Sequence, residues 1–472
     1  MDGVKRVLAG IFLLGLASAG VYGFLATERE RSYRQLIATG DAALATDNSF
    51  AAIEAFSGAI ALKSDAMVGY LKRGQAYHRR GEFAAAVRDL RRASDLDPSA
   101  TRPLEELGDV YLADSPHHYA EAAACYATYI RLDNRAPRVL YKLAFARYND
   151  GHAADAIEPL QNAIALDDRF PEAYYLLGLC HRDAKHPDAA LQSLEKSVAL
   201  QPALLHAREQ LADLYGSIGR TDSRLAQLAA LSALDPGPSR EVTLGLAYAR
   251  AGHFDQAVLT LGRATERYPD YPYAYVALGR VWLEIAQARG DRVALRKALG
   301  ALEGAVGSDD SSEALTLFGR ALLLTSDAES AEHMLQDAAL KRPVDPLAYF
   351  YLADAAERLG HYTVAREALL DYTVLAGDEP DARRRSAQTA RLGDLSLRAN
   401  DPAGAAAYFL RAANDSGSDP TLLARAADAQ LRAGDPDTAR ATVANALEKD
   451  PQNALAIAVA QRLIPVRRPG SS

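Results

Sequence analysis

Residues that could carry out catalysis or bind a metal are few and scattered. The chain of 472 residues has 10 histidines and 2 cysteines, Cys125 and Cys180. Neither a CxxC nor an HxxxH pair occurs, and no phosphate-binding GxxxxGK[ST] or nucleophile-elbow GxSxG motif is present. His152, His253 and His361 each follow a glycine at the same place of a recurring pattern. We therefore expect no catalytic residues, no cofactor site and no metal site.

The charge balance argues against nucleic acid as a partner. The chain has 53 basic and 61 acidic residues, a formal net charge of −8. Binding to nucleic acid requires a basic surface that neutralises phosphates, and this average composition does not supply one. The densest basic run, at 383–385, is typical of a solvated loop or helix start.

The sequence repeats with a fixed period, which predicts the arrangement of its structural elements. One position carries Gly or Ala throughout the chain, mostly at a spacing of 34 residues, and such a period predicts a solenoid of stacked units. Between these positions, apolar residues recur every three or four places in two stretches, which predicts two amphipathic helices per unit. The small residues are Gly40, Gly74, Gly108, Ala144, Gly178, Ala212, Gly245, Gly279, Gly319, Ala353, Gly393 and Ala427.

Two further positions support a pair of helices in each unit. Alanine opens the second helix of most units, where a small side chain lets two helices approach closely. Proline follows that helix and cannot continue it, so we expect the second helix to stop there. The alanines are Ala86, Ala122, Ala156, Ala190, Ala257, Ala331, Ala365, Ala405 and Ala439, and the prolines are Pro98, Pro202, Pro236, Pro269, Pro343 and Pro451.

The second unit resembles the tetratricopeptide repeat in its Gly74, Tyr77, Gly81, Phe83, Ala86, Leu90, Ala93 and Pro98. The resemblance extends over 32–453 and is to the membrane-anchored bacterial type. It implies an all-α fold, a right-handed α-solenoid of about twelve helical hairpins. We expect 454–465 to form a helix that caps the stack and 466–472 to be a disordered tail.

Some units depart from the regular pattern. Extra residues fall near 115–118, 288–296 and 377–385, and we expect them to form loops at the edge of the solenoid. In the sixth unit Arg224 stands where a small alanine is usual, which predicts looser packing.

The N-terminus predicts attachment to a membrane. After a short basic segment at 1–6, the 20 residues of 7–26 carry no charge and are long enough to cross a bilayer as a helix. A cleaved secretory signal is the alternative, since Ala17, Ser18 and Ala19 offer a cleavage site. We favour an uncleaved signal-anchor, because the apolar run continues through Val21 and Phe24. We expect a single-pass protein with an exported, periplasmic solenoid, and a cytoplasmic solenoid stays open.

The resemblance also implies where a partner would bind. In stacked helical hairpins the first helix of each unit lines the concave groove, and aromatic and arginine side chains are common anchors of protein interfaces. Glu105 and Asp109 fall among these groove positions of the third unit. The predicted partner-binding residues are Lys72, His78, Arg79, Arg102, Arg138, Tyr141, Lys142, Tyr148, Tyr175 and Arg182.

Taken together, these features predict a membrane-anchored scaffold without enzymatic activity. It would bind protein partners in the assembly or function of a cell-envelope complex, such as a secretion, pilus or polysaccharide-export apparatus. Two alternatives stay open. One is a module that binds polysaccharide during export, and the other is a membrane-tethered regulatory adaptor that faces the cytoplasm.

Overall fold

The computed structural model describes residues 2–114, 118–377 and 379–464, except for the side chains at 2–10, 12–17 and 19–20. Over these residues the regular structure consists of 25 α-helices and one 3₁₀ turn, and the described backbone contains no strand. The all-α solenoid that the sequence predicts is confirmed.

The chain divides into two compact units, one ending at Gln227 and one beginning at Leu228. Helix α12 (Thr221–Leu234) contains this boundary. The other helices of the first unit are α1 (Asp2–Ala45), α2 (Ser49–Leu62), α3 (Met67–Arg79), α4 (Phe83–Leu96), α5 (Thr101–Ala113), α6 (Tyr119–Leu132), α7 (Pro137–Asn149), the 3₁₀ turn Ala154–Ala156, α8 (Ile157–Leu166), α9 (Pro171–Asp183), α10 (Pro187–Leu200) and α11 (Leu205–Ser217).

The second unit continues the same alternation. Its helices are α13 (Pro238–Arg250), α14 (Phe254–Arg267), α15 (Pro272–Arg289), α16 (Arg292–Val306), α17 (Ser312–Leu324), α18 (Ala328–Leu340), α19 (Pro346–Leu359), α20 (Tyr362–Ala376), α21 (Ala382–Arg398), α22 (Pro402–Asp415), α23 (Pro420–Arg432), α24 (Pro436–Lys449) and α25 (Ala454–Arg462).

Each odd-numbered helix from α1 to α9 and from α13 to α23 packs against the even-numbered helix that follows it, forming a hairpin. Within each unit, each even-numbered helix also contacts the first helix of the next hairpin. Helix α25 packs on α23 and α24, while 466–472 lies outside the described residues. Counting α11 with α12, the helices correspond to twelve repeats.

The recurrent small residue is required by a large side chain of the second helix. All twelve positions fall in odd-numbered helices. A Cβ atom placed on Gly74 would lie 2.7 Å from Cγ of Leu90, and one on Gly319 would lie 2.5 Å from Cγ of Leu335. Both leucines are fully buried, so the missing side chain lets the two helices close around them.

The alanines and prolines act as the sequence predicts. The alanines that open the second helices, such as Ala86 and Ala257, are fully buried. Pro98 and Pro269 each lie two residues beyond the end of α4 and α14. In the sixth repeat, by contrast, Arg224 takes the place of this alanine. A Cβ atom placed on Gly216 would lie 3.3 Å from Cδ of Arg224.

The predicted loop at 288–296 is wrong. Here the extra residues lengthen two helices, because α15 has 18 residues and α16 has 15, and only Gly290 and Asp291 separate them. Ile285 and Ala294 are buried in one apolar cluster that also contains residues of α13 and α14. The insertion at 377–385 is partly helical as well, since α21 begins at Ala382. Most of the first, at 115–117, lies outside the described residues.

Helix α1 runs without interruption from the N-terminal segment into the first repeat. The predicted anchor, 7–26, forms its first half, and Val21, Tyr22, Phe24 and Leu25 are exposed there. Within the described part of the chain, no helix meets the length and hydropathy needed to span a membrane.

Candidate functional site

The predicted binding residues lie on the first helices of four consecutive hairpins, α3, α5, α7 and α9. Their side chains fall into two groups. Most of them join one repeat to the next, and a smaller group surrounds a cleft beside α7.

Two lysines predicted as groove residues form ion pairs between repeats. Nζ of Lys72 lies 2.9 Å from Oδ1 of Asp41 in the preceding repeat. Lys142 contacts Asp109 at 2.8 Å and Glu105 at 3.0 Å, again in the preceding repeat. Burial opposes the charge of Lys142, but its hydrogen bonds to the two carboxylates outweigh this effect and raise its pKa.

Residues at the ends of α3 and α5 also make local contacts. Nη1 of Arg79 donates to the backbone oxygen of Leu44 at 2.9 Å, and the ring of His78 lies 6.2 Å from that of Phe83. Arg102 pairs with Glu106 at 2.8 Å on its own helix. Arg79 therefore supports the stacking of repeats, whereas His78 and Arg102 make contacts within their own repeat.

A polar cluster joins α7, α9 and α11. The hydroxyl group of Tyr148 donates to Asp183 at 2.9 Å, and Arg182 pairs with the same carboxylate at 2.7 Å. Burial, followed by the hydrogen bond to Asp183, raises the pKa of Tyr148 to about 12. Arg182 also donates to Gln210, and Tyr175 packs on the apolar cluster of α10 and α11.

The remaining two predicted residues, Arg138 and Tyr141, line an open cleft of about 430 Å³. One wall is the first half of α7, and the other is the turn that leads into α9 together with the start of that helix. Pro171 begins α9 and so ends this turn, because the fixed φ of proline suits the first position of a helix. The full lining is Arg138, Tyr141, Lys142, Asp167, Arg169, Phe170, Pro171 and Glu172, and we call it the α7–α9 cleft.

Two aromatic rings form the apolar part of the α7–α9 cleft. The centroids of Tyr141 and Phe170 lie 5.1 Å apart with the rings tilted at 47°. Burial, with a smaller effect from the nearby Glu172 carboxylate, raises the pKa of Tyr141. The phenol therefore stays neutral near pH 7 and can donate or accept a hydrogen bond.

The arginines of the cleft differ from those of the inter-repeat contacts. Arg138 and Arg169 are exposed, and across the described part of the chain neither guanidinium group has a hydrogen-bond or ion-pair partner. The carboxylate of Asp167 accepts the backbone N–H of Arg169 at 3.0 Å, which holds the turn. The cleft thus offers two unpaired cations beside an aromatic pair, with Glu172 as a further acidic group at its edge.

The sequence analysis named Glu105 and Asp109 but did not pair the lysines with acidic partners, and it did not include the turn before α9. Asp41 and Asp109 each follow the small residue of their repeat, and the lysine that pairs with each stands two places before the next small residue. The second unit repeats this rule with Asp354 and Arg391, and with Asp394 and Arg425. Reading these two positions together would have identified Lys72 and Lys142 as inter-repeat residues.

Comparison with known proteins agrees with the helical hairpins. One model of the tetratricopeptide repeat matches residues 141–204, 242–285 and 316–382, and a second matches 69–99. No curated protein matches the chain.

Solved structures similar to the chain include those of MamA, YrrB and yeast Tom70. MamA is 24% identical, and the match covers 36% of this chain and 91% of MamA with a TM-score of 0.34. YrrB, described as a TPR protein with an unusual peptide-binding site, is 22% identical over 39% of this chain and 94% of its own, with a TM-score of 0.36. Yeast Tom70 is 14% identical over 79% of this chain and 97% of its own, with a TM-score of 0.37.

The matched segments lie in both units and coincide with helical hairpins that carry the recurrent small residue. The repeated packing of these hairpins is therefore that of the matched family. The chain is a tetratricopeptide repeat protein.

Proposed function

We propose that this protein is a membrane-anchored scaffold that binds other proteins through the α7–α9 cleft. The observation that carries the proposal is the pair of unpaired arginines, Arg138 and Arg169, beside the rings of Tyr141 and Phe170. Arginine and tyrosine are enriched among the residues that dominate the energy of protein interfaces. The proposed role is binding without catalysis.

The contrast with the rest of the predicted groove supports this choice. Lys72, Lys142 and Arg182 already have partners in neighbouring repeats, so binding a ligand through them would require those contacts to break. Arg138 and Arg169 face no such cost, because their charges are exposed and unpaired within the described residues. A partner that brings a hydrogen-bond acceptor and an apolar side chain would fit the cleft.

The envelope setting is proposed from the N-terminus. The segment 7–26 is uncharged, and its last part exposes apolar side chains from Val21 to Leu25. Because α1 continues directly into the first repeat, an anchor here would hold that repeat close to the bilayer. We propose an exported solenoid that serves in the assembly or function of a cell-envelope complex, and a cytoplasmic solenoid is the alternative orientation.

Site-specific crosslinking tests the cleft. A photoreactive amino acid replaces Tyr141 in the full chain, and crosslinked proteins are identified by mass spectrometry from native membranes. We expect a defined partner that disappears with the variant Arg138→Glu and Arg169→Glu. The matched control is Arg92→Glu and Lys196→Glu, since both residues are exposed on second helices of the same unit. A partner that survives the cleft variant, or that is lost equally with the control, would contradict the proposal.

Polysaccharide is the alternative ligand, favoured by the partly exposed aromatic pair in the cleft. Sugar rings stack on aromatic faces, so a glycan should perturb the NMR signals of Tyr141 and Phe170. Perturbation of these two residues by glycans, without a protein crosslink, would replace the protein-binding role by polysaccharide binding. Protease accessibility of a C-terminal tag reports which side of the membrane the solenoid occupies.

A further inference from the structure

The hairpin formed by α15 and α16 is longer than its neighbours. Helix α15 has 18 residues, whereas α13 and α17 have 13 each. The end of this hairpin is well defined, because Gly290 adopts a left-handed conformation with φ of 63° and ends α15. Asp291 then caps α16 by accepting the backbone N–H of Val293 at 2.7 Å.

The exposed side of this hairpin end is basic. Arg289, Arg292, Arg296 and Lys297, which we call the basic tip, are all exposed. The described residues provide no hydrogen-bond or ion-pair partner for any of the three guanidinium groups. Nζ of Lys297 lies 4.4 Å from the centroid of the Trp282 ring, so this contact fixes the ammonium group on the hairpin.

The nearby acidic groups form no ion pair with the basic tip among the described residues, so its positive charge is not compensated. The carboxylate of Asp291 is used in capping α16. Arg289 lines a shallow depression with His253 and Asp255 from the preceding hairpin, but no ion pair forms there among the described side chains. Glu284, on the same helix, is exposed and is likewise unpaired within the described residues.

Other arginines of this region already have partners in a neighbouring repeat. Arg280 pairs with Glu313 of the next hairpin, and Arg320 donates back to Gln287. These contacts stabilise the stack. The basic tip makes no such contact, so the stacking of repeats does not explain why the lengthened hairpin carries four cations.

We infer that the basic tip is a second docking site, which binds an acidic segment of a protein partner. The planar guanidinium group can donate two parallel hydrogen bonds to a carboxylate, and three of the four cations are arginines. The inference does not depend on the α7–α9 cleft, which belongs to the first unit.

Charge and composition favour an acidic protein segment over the other polyanions. The chain carries a net charge of −8, which opposes its approach to an extended polyanion such as duplex DNA. A short acidic segment can contact the basic tip alone, because screening confines the interaction to about 10 Å at moderate salt. Val293 adds an exposed apolar side chain that can pack against such a segment.

The test measures fluorescence anisotropy of a labelled oligoglutamate peptide with the detergent-solubilised full chain. We expect binding at low salt that weakens as salt increases. The variant Arg289→Glu, Arg292→Glu and Arg296→Glu should bind at least about tenfold more weakly, because repulsion replaces attraction at the same positions.

A control variant carries the same change in net charge away from the basic tip, with Arg263→Glu, Arg411→Glu and Lys449→Glu, three exposed residues of the second unit. It should bind within about twofold of the unchanged chain, since isolated surface substitutions have small effects. Circular dichroism checks that helix content is retained. If the glutamate variant loses helicity, the variant Arg289→Gln and Arg292→Gln decides, and it too should bind more weakly.

Four results would overturn the inference. They are no peptide binding by the full chain, equal loss in the tip and control variants, unchanged binding by the tip variants, and tip-dependent binding of phosphatidylserine vesicles or duplex DNA in place of the peptide. A negative result here leaves the crosslinking test of the α7–α9 cleft unaffected, because that experiment uses another unit of the molecule.

Discussion

At Gly245 the absence of one methyl group determines how closely α13 and α14 approach. A Cβ atom there would lie 2.5 Å from Cγ of Leu261, a fully buried atom that cannot move aside without disturbing its neighbours. Gly262, in the second helix of the same hairpin, has no atom within 4 Å of the corresponding position. The two glycines therefore serve different purposes within one repeat.

We predict that the same substitution has opposite effects at these two glycines. Gly245→Ala should destabilise the protein by about 1–3 kcal/mol through overpacking against Leu261. Gly262→Ala should stabilise it by about 0.5–1 kcal/mol, because alanine is the better helix former. Thermal unfolding followed by circular dichroism measures both, and a loss of stability at Gly262 equal to that at Gly245 would contradict this account of the hairpin.

Single residues also mark the limit of prediction from sequence. The small-residue position was predictable because it recurs. A small side chain is needed there because a large apolar residue of the second helix fills the adjacent space. The role of Lys72 was not predictable from its place in the groove alone, since its partner Asp41 lies 31 residues earlier and becomes a neighbour only when repeats stack. The same holds for Arg169 and Phe170, whose turn faces α7 only in the folded hairpins.

At the level of helices, four ion pairs of one kind join a repeat to the repeat that follows it. An Asp after the small residue pairs with a Lys or Arg two places before the following small residue, as in Asp41 and Lys72 or Asp354 and Arg391. These groups are partly exposed, so solvent screening limits each pair to about 0–1 kcal/mol. Their value lies in the relative placement of adjacent hairpins as well as in stability.

Exchanging the charges of one pair tests this role. Asp41→Lys alone should lower stability by about 0.5–1 kcal/mol, because two lysines then face each other. Adding Lys72→Asp should restore most of that loss, which a double-mutant cycle in chemical denaturation detects. Additive effects of the two substitutions would show that Lys72 is independent of Asp41 and free to contact a partner.

The lengthened hairpin shows why an insertion could not be assigned to a loop from its sequence. Gly290 and Asp291 are typical of a turn, and they do form one. The residues on either side extend α15 and α16, and Ile285 and Ala294 are buried there in an apolar cluster with residues of α13 and α14. Spacing between repeats detects extra residues, but their packing decides whether they become helix or loop.

The whole molecule combines two solenoid units with one long N-terminal helix. The described residues contain no helix suited to span a membrane, whereas the sequence of 7–26 has the length and the lack of charge that an anchor needs. Membrane attachment therefore stands as a prediction for experiment.

We predict that the full chain stays in the membrane pellet after alkaline carbonate extraction. The variant Leu14→Arg and Leu16→Arg should move to the supernatant, because each arginine at the centre of a spanning helix costs about 2.5–3.5 kcal/mol. The control, Phe50→Arg and Val68→Arg, changes exposed apolar residues outside the segment and should stay in the pellet. Release of the unchanged chain, or of both variants equally, would contradict a spanning anchor.

The sequence alone determined the family, the helical hairpins and their number, because each repeat buries its apolar face only against near neighbours in the chain. Tertiary structure decided how the polar residues are used. Lys142 and Arg182 contact groups of neighbouring repeats, while Arg138 and Arg169 remain unpaired within the described residues. The physical reason is that hydrophobic periodicity records burial of each helix face, whereas the pairing of a charge depends on which side chain of an adjacent repeat comes within hydrogen-bonding distance.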